Sequence, residues 1–329
     1  MSIEKNIYMN PILSIIIPSY NSEKYISKCL DSCVKQDLQP NEYEIIIVND
    51  GSDDRTFEIA QNYASSHCNI KIVTTINQGV CIARNTGMKE AAGEFLWFID
   101  SDDYIKPNCL HHLIETAKTN DLDLMWFKWE RIDENGNPLP PYKGERLSEN
   151  TTVMSGDMFL RTVFDECGFV WAFFWKRSFL LNHDLFFNPE ITYTEDLEFI
   201  MRATTQATKV KFVNESPYIY TPRIGGLAKS LNSNKYSSMI KTIVTAAELS
   251  KLYPNQPFYK DITTALIITL IRKISYPQYK HERKILPQTL KDLGIKRLHY
   301  RHNGIRKYMA NIYNISPRLC IAISRLLKK

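Results

Sequence analysis

Short apolar runs alternate with segments of helical periodicity along the first hundred residues. The runs are rich in Ile and Val, a composition typical of strands that are buried on both faces of a parallel sheet. The pattern predicts strands at 12–18, 43–49, 70–75 and 94–99 and helices at 25–35, 55–66 and 80–92. Repeated strand–helix units with short loops predict an α/β fold with a Rossmann-like, mostly parallel sheet flanked by helices.

The pattern changes further along the chain. It predicts a helix at 108–118, a strand at 122–130, a helix at 195–206, and either a strand pair or an extended edge at 209–220. Beyond this point the chain is largely helical, with breaks at Pro254, Pro277, Pro287, Gly294 and Pro317. We therefore predict an α/β domain over residues 1–226 and a helical C-terminal extension over residues 227–329.

Polar, turn-forming clusters follow three of the predicted strands. They are 18–21 (PSYN), 49–52 (NDGS) and 100–103 (DSDD). Because ligands bind beyond the carboxyl ends of parallel strands, we expect the three clusters to meet at one edge of the sheet. A dinucleotide-binding enzyme needs a glycine-rich turn after its first strand, whereas the turn here contains no glycine, which disfavours an NAD enzyme.

The densest acidic cluster comes directly after the fourth strand. Asp100, Asp102 and Asp103 place three carboxylates close together, which is unfavourable unless a cation compensates their charge. Oxygen ligands with open positions suit Mg²⁺ or Mn²⁺. The alternative is a solvated turn that caps the next helix, but its place beside a second acidic strand end favours the metal site.

Two further residues lie where a nucleotide would bind. Asp50 directly follows the second strand and can accept hydrogen bonds from a base or a ribose, although a simple turn explains it as well. Gly79 opens the helix at 80–92, which offers backbone N–H groups and Arg84 to a diphosphate. An arginine in the first turns of a helix is more often merely solvated.

Charge is distributed unevenly along the chain. Residues 283–329 contain twelve Lys and Arg and one acid, whereas residues 1–282 carry a net charge of −6. This asymmetry predicts different partners for the two regions. Seven cysteines without a CxxC pair, and no signal-peptide pattern, predict reduced cytosolic thiols. The longest apolar run, 262–271, is well short of the ~20 residues of a membrane-spanning helix.

Five segments, in this order, resemble family 2 glycosyltransferases, which are inverting enzymes of the GT-A fold. They are 13–26 (LSIIIPSYNSEKYI), 46–54 (IIVNDGSDD), 77–87 (NQGVCIARNTG), 93–103 (GEFLWFIDSDD) and 193–199 (YTEDLEF). The resemblance covers roughly residues 11–225, and its type is that of bacterial cell-surface polysaccharide enzymes. It implies a nucleoside-diphosphate sugar donor, with uridine as the base, and Mn²⁺ or Mg²⁺ as the cofactor.

The resemblance also implies a role for each matched residue. At the donor, Pro18 and Tyr20 would line the base, Asp50 would hydrogen-bond to it, and Arg84 would contact the ribose and diphosphate. Asp100 and Asp102 match the DxD motif, with Asp102 as the direct metal ligand and Asp100 toward the ribose. Asp196 matches the general base. Asp196 would take the proton of the acceptor hydroxyl without a covalent intermediate.

The acceptor side is less sharply defined. Trp171, Lys176 and Glu195 lie where such enzymes shape the acceptor site, although aromatic residues at this density are more often core. Glu195 and Asp196 also suit the N-terminus of a helix, where acids interact favourably with the helix dipole. Residues 222–227 (PRIGGL) stand where relatives carry an Arg-x-Gly-Ser-type lid, but the serine is missing, which weakens the lid interpretation.

The function expected from these features is transfer of a hexosyl or N-acetylhexosaminyl group to a saccharide or lipid-linked acceptor. One alternative is a nucleotide-sugar-binding module without turnover, which intact Asp100, Asp102 and Asp196 disfavour. Another is a protein that binds nucleic acid or a membrane surface through its basic tail. No helix-turn-helix, zinc or RNA-binding signature is present, so no nucleic-acid partner is expected.

The last fourteen residues combine apolar and basic positions. Leu319, Ile323 and Leu326 fall near one helical face, and arginines and lysines lie on or near the other. This pattern suits a helix that lies in the interface of an anionic membrane, with a terminal helix packed on the body as the alternative. The tail therefore predicts a cytoplasmic protein attached peripherally to the inner face of the cytoplasmic membrane.

Overall fold

The protein is represented by a computed structural model that describes residues 11–141, 151–164, 168–223 and 232–327. Its strands are β1 (Leu13–Ser19), β2 (Tyr43–Asp50), β3 (Ile70–Thr75), β4 (Phe95–Phe98), β5 (Tyr104–Ile105), β6 (Leu124–Arg131), β7 (Phe173–Lys176) and β8 (Val210–Tyr220). Its helices are α1 (Ile26–Val34), α2 (Thr56–Ser66), α3 (Val80–Glu90), α4 (Leu110–Thr119), α5 (Gly156–Thr162), α6 (Arg177–Asn182), α7 (Glu195–Gln206), α8 (Ser233–Leu252), α9 (Pro257–Ile274), α10 (Lys280–Asp292), α11 (Ile305–Ile315) and α12 (Pro317–Leu326).

One half of the sheet is parallel, as the sequence predicts. Its strands lie in the order β3-β2-β1-β4, and all three neighbouring pairs are parallel. Every residue of β1 and β2 is buried, which explains why both read as continuous apolar runs. Helix α3 approaches β1 so closely that a Cβ on Gly87 would lie 2.3 Å from Cγ2 of Ile16, and only glycine fits there.

The other half of the sheet is mixed. The order continues β7-β6-β8-β5, with β7 antiparallel to both β4 and β6, and β8 parallel to β6. The segment at 209–220 forms one strand, β8, rather than a strand pair. Its pairing with β6 skips from Val213 to Tyr218, and Pro217, which has no N–H group to donate, lies within this irregularity.

Residue contacts divide the chain into two compact units. One comprises Met1–Pro189 with Phe199–Gly226, and the other Glu190–Glu198 with Leu227–Lys329. The first unit contains the sheet, and the second contains helices α8 to α12. The short segment Glu190–Glu198, which the sequence analysis placed in the α/β domain, makes its contacts within the second unit.

Helix α9 forms the centre of the second unit. It is apolar and buried along most of its length, and α8, α10, α11 and α12 all pack against it. The predicted break at Pro287 is wrong, because α10 continues through this residue with Leu286 and Leu290 buried. Burial of these leucines outweighs the one backbone hydrogen bond that the proline removes. Within the described residues, no helix is long and apolar enough to cross a membrane.

Candidate active site at the carboxyl edge of the sheet

The loops that follow β1, β2 and β4 meet at one edge of the sheet, as expected. Ser22 Oγ lies 2.7 Å from Ser101 Oγ, which joins the loop after β1 to the loop after β4. The backbone N–H of Asn21 donates to Ser52 Oγ over 3.1 Å, which joins it to the loop after β2. The three polar clusters therefore form one continuous rim.

Three carboxylates of the β4 loop form the acidic centre of this rim. One oxygen each of Asp100, Asp102 and Asp103 lies within 4.8 Å of the others. Burial, and then the charge of Asp100, raise the pKa of Asp102 to about 6, and Arg223 opposes this shift. Burial, and then the charges of Asp102 and Asp100, raise the pKa of Asp103 well above its ordinary value. The rim thus holds a surplus of negative charge in a poorly solvated place.

Asp103 differs from its two neighbours because the protein occupies its oxygens. Its side chain is 1% exposed, Tyr218 Oη donates to one oxygen over 2.7 Å, and the Thr221 N–H donates to the other over 2.8 Å. The Asp100 N–H in turn donates to Tyr218 Oη over 3.2 Å. Asp103 therefore fixes the β4 loop to β8 through Tyr218, a residue more than a hundred positions away that was not among the predicted site residues.

Asp100 and Asp102 are the carboxylates that a ligand can reach. Both are partly exposed, and each has one cationic partner: Arg84 Nη2 lies 3.1 Å from Asp100 Oδ1, and Arg223 Nε forms an ion pair with Asp102. Oxygen donors of this kind, open on the solvent side, fit Mg²⁺ or Mn²⁺. The donor set therefore agrees with the predicted metal site.

Arg84 is a buried residue rather than a solvated one. Only 3% of its surface is exposed, and its guanidinium carbon lies 5.3 Å from the centre of the Phe187 ring. The neighbouring Asn85 explains why Phe187 lies there. Its side-chain amide donates to the Phe187 carbonyl and accepts from the Phe187 N–H, both over 2.8 Å. Asn85 is thus a supporting residue that the sequence analysis missed.

Asp50 lies at the rim, and its carboxylate already accepts several hydrogen bonds from the protein. Its carboxylate accepts from Thr75 Oγ1 over 3.1 Å and from the N–H groups of Gln78 and Gly79 over 3.0 and 2.7 Å. Gly79 has a φ of +92°, a conformation that glycine adopts without strain, and α3 begins immediately after it. Asp50 therefore holds the start of the helix that carries Arg84.

The remaining donor-site residues lie on the same edge. Pro18 is buried in β1 opposite Val48, and Tyr20 follows β1 with about half of its surface exposed. Arg223 packs its guanidinium carbon 4.2 Å from the centre of the Tyr25 ring. Arg223 is the last residue of its loop that the structure describes, so the rest of the lid motif, 224–227, lies outside the described residues.

Two of the predicted acceptor residues do not belong to this edge. Trp171 is buried and stacks on Tyr218 with 4.3 Å between ring centres, so the core alternative is correct. Lys176 pairs with Phe95 at the start of β4, which is the opposite edge of the sheet. It forms an ion pair there with Asp121 over 2.5 Å, so the acceptor prediction for Lys176 is wrong.

The predicted general base lies in the second unit. Asp196 and Glu195 stand in the first turn of α7, are partly buried, and share this turn with Glu198. Three acids at a helix N-terminus interact favourably with the helix dipole, as the sequence analysis noted. The residue before them, Thr194, has a φ of +69°, which is unusual for a β-branched side chain.

Known proteins share both sequence and fold with this chain. EpsJ of Bacillus subtilis, described as an uncharacterized glycosyltransferase, is 35% identical over 217 residues, which cover 64% of this chain and 61% of EpsJ. TarS of Staphylococcus aureus, a poly(ribitol-phosphate) beta-N-acetylglucosaminyltransferase, is 30% identical over 215 residues, which cover 65% of this chain and 36% of TarS. The aligned part thus spans less than two thirds of either relative.

A third relative aligns over nearly its whole length. A cholesterol galactosyltransferase of Borreliella burgdorferi is 26% identical over 348 residues, with 96% of each chain covered.

Structural comparison confirms the fold. The crystal structure of S. aureus TarS 1-349 in complex with UDP-GlcNAc superimposes with a TM-score of 0.67 at 23% identity, with 96% of this chain and 92% of TarS 1-349 covered. This likeness establishes the predicted GT-A fold. The sequence profile described as "Glycosyl transferase family 2" matches residues 14–178, half of the chain. The chain therefore belongs to glycosyl transferase family 2.

Proposed function

We propose that this protein is an inverting glycosyltransferase that moves a sugar from a UDP-sugar to a hydroxyl of a saccharide or lipid-linked acceptor in cell-surface polysaccharide synthesis. The observation that carries the proposal is the charged rim, in which partly exposed Asp100 and Asp102 lie beyond the carboxyl ends of parallel strands and buried Arg84 pairs with Asp100. Two of the relatives are named for sugar transfer to poly(ribitol-phosphate), a polyol phosphate, and to cholesterol, a lipid, which supports transfer to an acceptor hydroxyl.

The donor would be held by the residues of this rim. Pro18 and the exposed ring of Tyr20 would line the base, and Asp50 would bind it with the acceptor capacity that its three protein donors leave. Arg84 would contact the diphosphate with its fixed guanidinium fork. Because Asp100 and Phe187 fix Arg84 in place, its charge needs little reorganisation when the diphosphate departs.

Asp102 and Asp100 would hold the divalent cation, Mn²⁺ or Mg²⁺. When bound, such an ion supplies positive charge that stabilises the leaving diphosphate. Arg223, which forms an ion pair with Asp102 in the structure, would then have to give up this pair. Asp103 would keep the β4 loop in position without contacting the ion, because it is 1% exposed and its carboxylate faces Tyr218 and Thr221.

Asp196 would serve as the general base. Its carboxylate takes the proton of the acceptor hydroxyl while the acceptor oxygen forms a bond to the anomeric carbon and the bond from that carbon to the diphosphate oxygen breaks. The configuration inverts because one displacement occurs. Glu195, next to it in the first turn of α7, would contact the acceptor.

A panel of nucleotide sugars tests this function. Thermal unfolding is followed with UDP-, GDP- and dTDP-sugars, each with and without Mn²⁺, in wild type and in the Asp102→Ala variant. We expect UDP-sugars to raise the melting temperature of the wild type, more strongly with Mn²⁺, and the metal-dependent part to vanish in the variant. Stabilisation by another base, or by none, would contradict the proposed donor.

The helical C-terminal region is proposed to attach the enzyme to the inner, anionic face of the cytoplasmic membrane. Helix α12 buries Cys320, Ile321 and Ser324, so the packing alternative holds for one of its faces. On the opposite side Leu319 and Leu326 are exposed, and Ile315, just before the helix, is 80% exposed. An outward apolar face is unusual on a solvated helix and is typical of helices that lie in a membrane interface.

Exposed cations accompany this face. Lys307, Arg318 and Arg325 are all exposed on α11 and α12, and near an anionic surface each contributes on the order of 1 kcal/mol. Lys328 and Lys329, which belong to the same prediction, lie outside the described residues. The combination of apolar and basic side chains favours a negatively charged lipid surface over a protein partner.

Vesicle sedimentation tests the attachment. Wild type, a Leu319→Gln/Leu326→Gln double variant and a Leu252→Gln control are compared on phosphatidylglycerol and phosphatidylcholine vesicles at low and high salt. Leu252 is a matched control because it is an exposed leucine at the end of α8. We expect the double variant to bind anionic vesicles at least about ten-fold more weakly. Equal binding by all three proteins, or no preference for anionic lipid, would refute the attachment.

A further inference from the structure

The segment that leads to Asp196 is held by side chains from helix α8. The backbone N–H of Thr192 donates to Ser238 Oγ over 3.0 Å, and the two hydroxyls lie 3.2 Å apart. Two residues further on, Thr194 Oγ1 lies 2.8 Å from Thr242 Oγ1. At the two ends of the segment, Lys241 Nζ lies 2.8 Å from a carboxylate oxygen of Glu190, and Thr245 Oγ1 donates to Glu198 over 3.5 Å.

These contacts come from one face of α8. Ser238, Thr242 and Thr245 follow the spacing i, i+4, i+7, which aligns side chains along a helix. Ser238 and Thr242 are buried, with 2% and 0% of their surfaces exposed. Serine and threonine are poor choices for the interior of a helix, and an apolar residue would pack there without needing a partner. The hydroxyls of Ser238 and Thr242 both contact the segment, and Thr242 Oγ1 also lies 3.2 Å from the Ser238 carbonyl oxygen of its own helix.

The backbone that they fix is strained. Thr194 has a φ of +69°, a left-handed conformation that glycine adopts freely and that is an outlier for a β-branched residue. Such a conformation persists only where the surroundings determine it, and it is frequent at functional sites. Here the Thr242 hydroxyl contacts the strained residue itself. Helix α7 begins at the next residue, Glu195, so this turn sets the direction of its first turn.

The residue between the two threonines is held as well. The Tyr193 ring has Lys235 Nζ at 5.6 Å and Lys273 Nζ at 5.2 Å from its centre. These cations come from α8 and α9, so three successive residues, 192 to 194, are fixed by the helices of the second unit. The burial of Lys235, and then the charge of Lys273, lower the pKa of the Lys235 ammonium group.

We infer that the Ser238–Thr242 face of helix α8 is a positioning device for the general base. The inference rests on the proposed role of Asp196. The hydroxyls of Ser238 and Thr242 hold the Thr192–Thr194 turn, and that turn fixes the place of the Asp196 carboxylate on α7. Neither hydroxyl needs to contact a substrate.

The test compares variants that remove or keep one hydroxyl. Thr242→Val removes the hydroxyl at nearly constant volume, Thr242→Ser keeps it, and Ser237→Ala removes an exposed hydroxyl from the adjacent position of the same helix. We expect Thr242→Val to lower kcat about ten-fold or more and to leave the dissociation constant of the UDP-sugar unchanged, because a misplaced catalytic group slows only the chemical step. Thr242→Ser and Ser237→Ala should keep at least half of the wild-type kcat.

Ser238→Ala provides a second, independent variant. It removes the acceptor of the Thr192 N–H and should lower kcat in the same way, with circular dichroism and thermal unfolding as checks that each variant is folded. If Thr242→Val fails to fold, Ser238→Ala alone decides. A folded variant that loses stability but turns over at the wild-type rate would show that the hydroxyls are merely structural, and the inference would be wrong.

Repeating the comparison in an Asp196→Asn background separates this inference from the proposed function. If Asp196 is the base and Thr242 acts through it, Thr242→Val has no further effect once Asp196→Asn is present. The same loss in both backgrounds would overturn the positioning role and leave the base assignment intact. Turnover of Asp196→Asn within two-fold of wild type would refute the base itself and, with it, the inference.

Discussion

Both edges of the sheet carry clustered charges, but the charges are balanced at one edge and not at the other. At the amino edge of β4, Lys176 and Lys209 both pair with the exposed carboxylate of Asp121. At the carboxyl edge, Asp102 is largely buried beside Asp100. The two lysines lower the pKa of Asp121 to about 2, whereas burial and Asp100 raise that of Asp102 to about 6.

The direction of each pKa shift distinguishes a cluster whose charges are balanced from one that lacks a cation. Asp121 has two cations for one carboxylate and is exposed to water, so nothing further is needed for its charge. The β4 loop has three carboxylates and two arginines in a poorly solvated place, and a further cation would relieve its repulsion. The presence of an ion pair alone therefore says little about function, whereas uncompensated charge at a buried edge points to a ligand.

Removing Asp102 should produce the largest effect. In Asp102→Ala the cation loses its proposed direct ligand, so we expect sugar transfer to fall on the order of 10³-fold. Isothermal titration calorimetry should show UDP binding that no longer improves with Mn²⁺. Asp121→Ala at the other edge is the matched control and should transfer sugar at the wild-type rate. Undiminished Mn²⁺ dependence in Asp102→Ala would move the metal site elsewhere.

Asp50→Ala should have the next largest effect, because it acts at the same edge through hydrogen bonds. Loss of the carboxylate releases the N–H groups of Gln78 and Gly79 and the start of α3, together with the proposed contact to the base. Hydrogen bonds to charged groups contribute about 1.5–3 kcal/mol each, so we expect donor affinity to fall at least about ten-fold.

Asp54→Ala separates binding from folding in this experiment. Asp54 lies in the same loop as Asp50 and accepts from the N–H groups of Thr56 at the start of α2 and of Glu23 in the loop after β1, but it is not proposed to contact the donor. It should lower the melting temperature and leave the dissociation constant of UDP unchanged. If Asp50→Ala also keeps wild-type affinity for UDP, Asp50 is a turn residue and nothing more.

The sequence predicts this edge well because its signal is local. Each strand and the acidic cluster that follows it are contiguous, so the parallel topology alone brings Asp50 and Asp100 to one rim. Partners that come from distant elements leave no such signal. Tyr218, which donates to Asp103, comes from β8, more than a hundred residues away. Arg223, which pairs with Asp102, lies in the 222–227 segment that only the family resemblance marked.

Lys176 shows a second limit of sequence reasoning. The aromatic and mixed pattern around it predicts no strand, but β7 forms there. The edge at which the strand ends depends on its direction, and β7 runs antiparallel to β4. A residue at the end of β7 therefore reaches the amino edge, although the end of β4 reaches the carboxyl edge. Periodicity carries no information about strand direction.

Tyr218→Phe tests how firmly the acidic loop is held. The change removes the donor to Asp103 and the acceptor of the Asp100 N–H, both in a buried place. An unsatisfied buried polar group costs about 1–3 kcal/mol, so we expect urea denaturation to show a loss of this size in the free energy of unfolding. Tyr104→Phe, on the neighbouring strand β5, is the control and should change it by less than about 0.5 kcal/mol. Equal effects of the two changes would show that the Tyr218 hydroxyl does not stabilise the acidic loop.

Asp121→Asn should have the smallest effect and completes the comparison of the edges. Because the folded-state pKa of Asp121 lies below its ordinary value, its ion pairs stabilise the protein at neutral pH, and this stabilisation is lost as the pH falls toward about 2. We expect the variant and the wild type to differ slightly in melting temperature at pH 7 in low salt and to converge at pH 2 or in high salt, where exposed charges are screened. Sugar transfer should stay within two-fold of wild type. A larger loss of transfer would show that the amino edge takes part in the reaction, because removing exposed ion pairs at this edge should not by itself change the rim at the opposite edge.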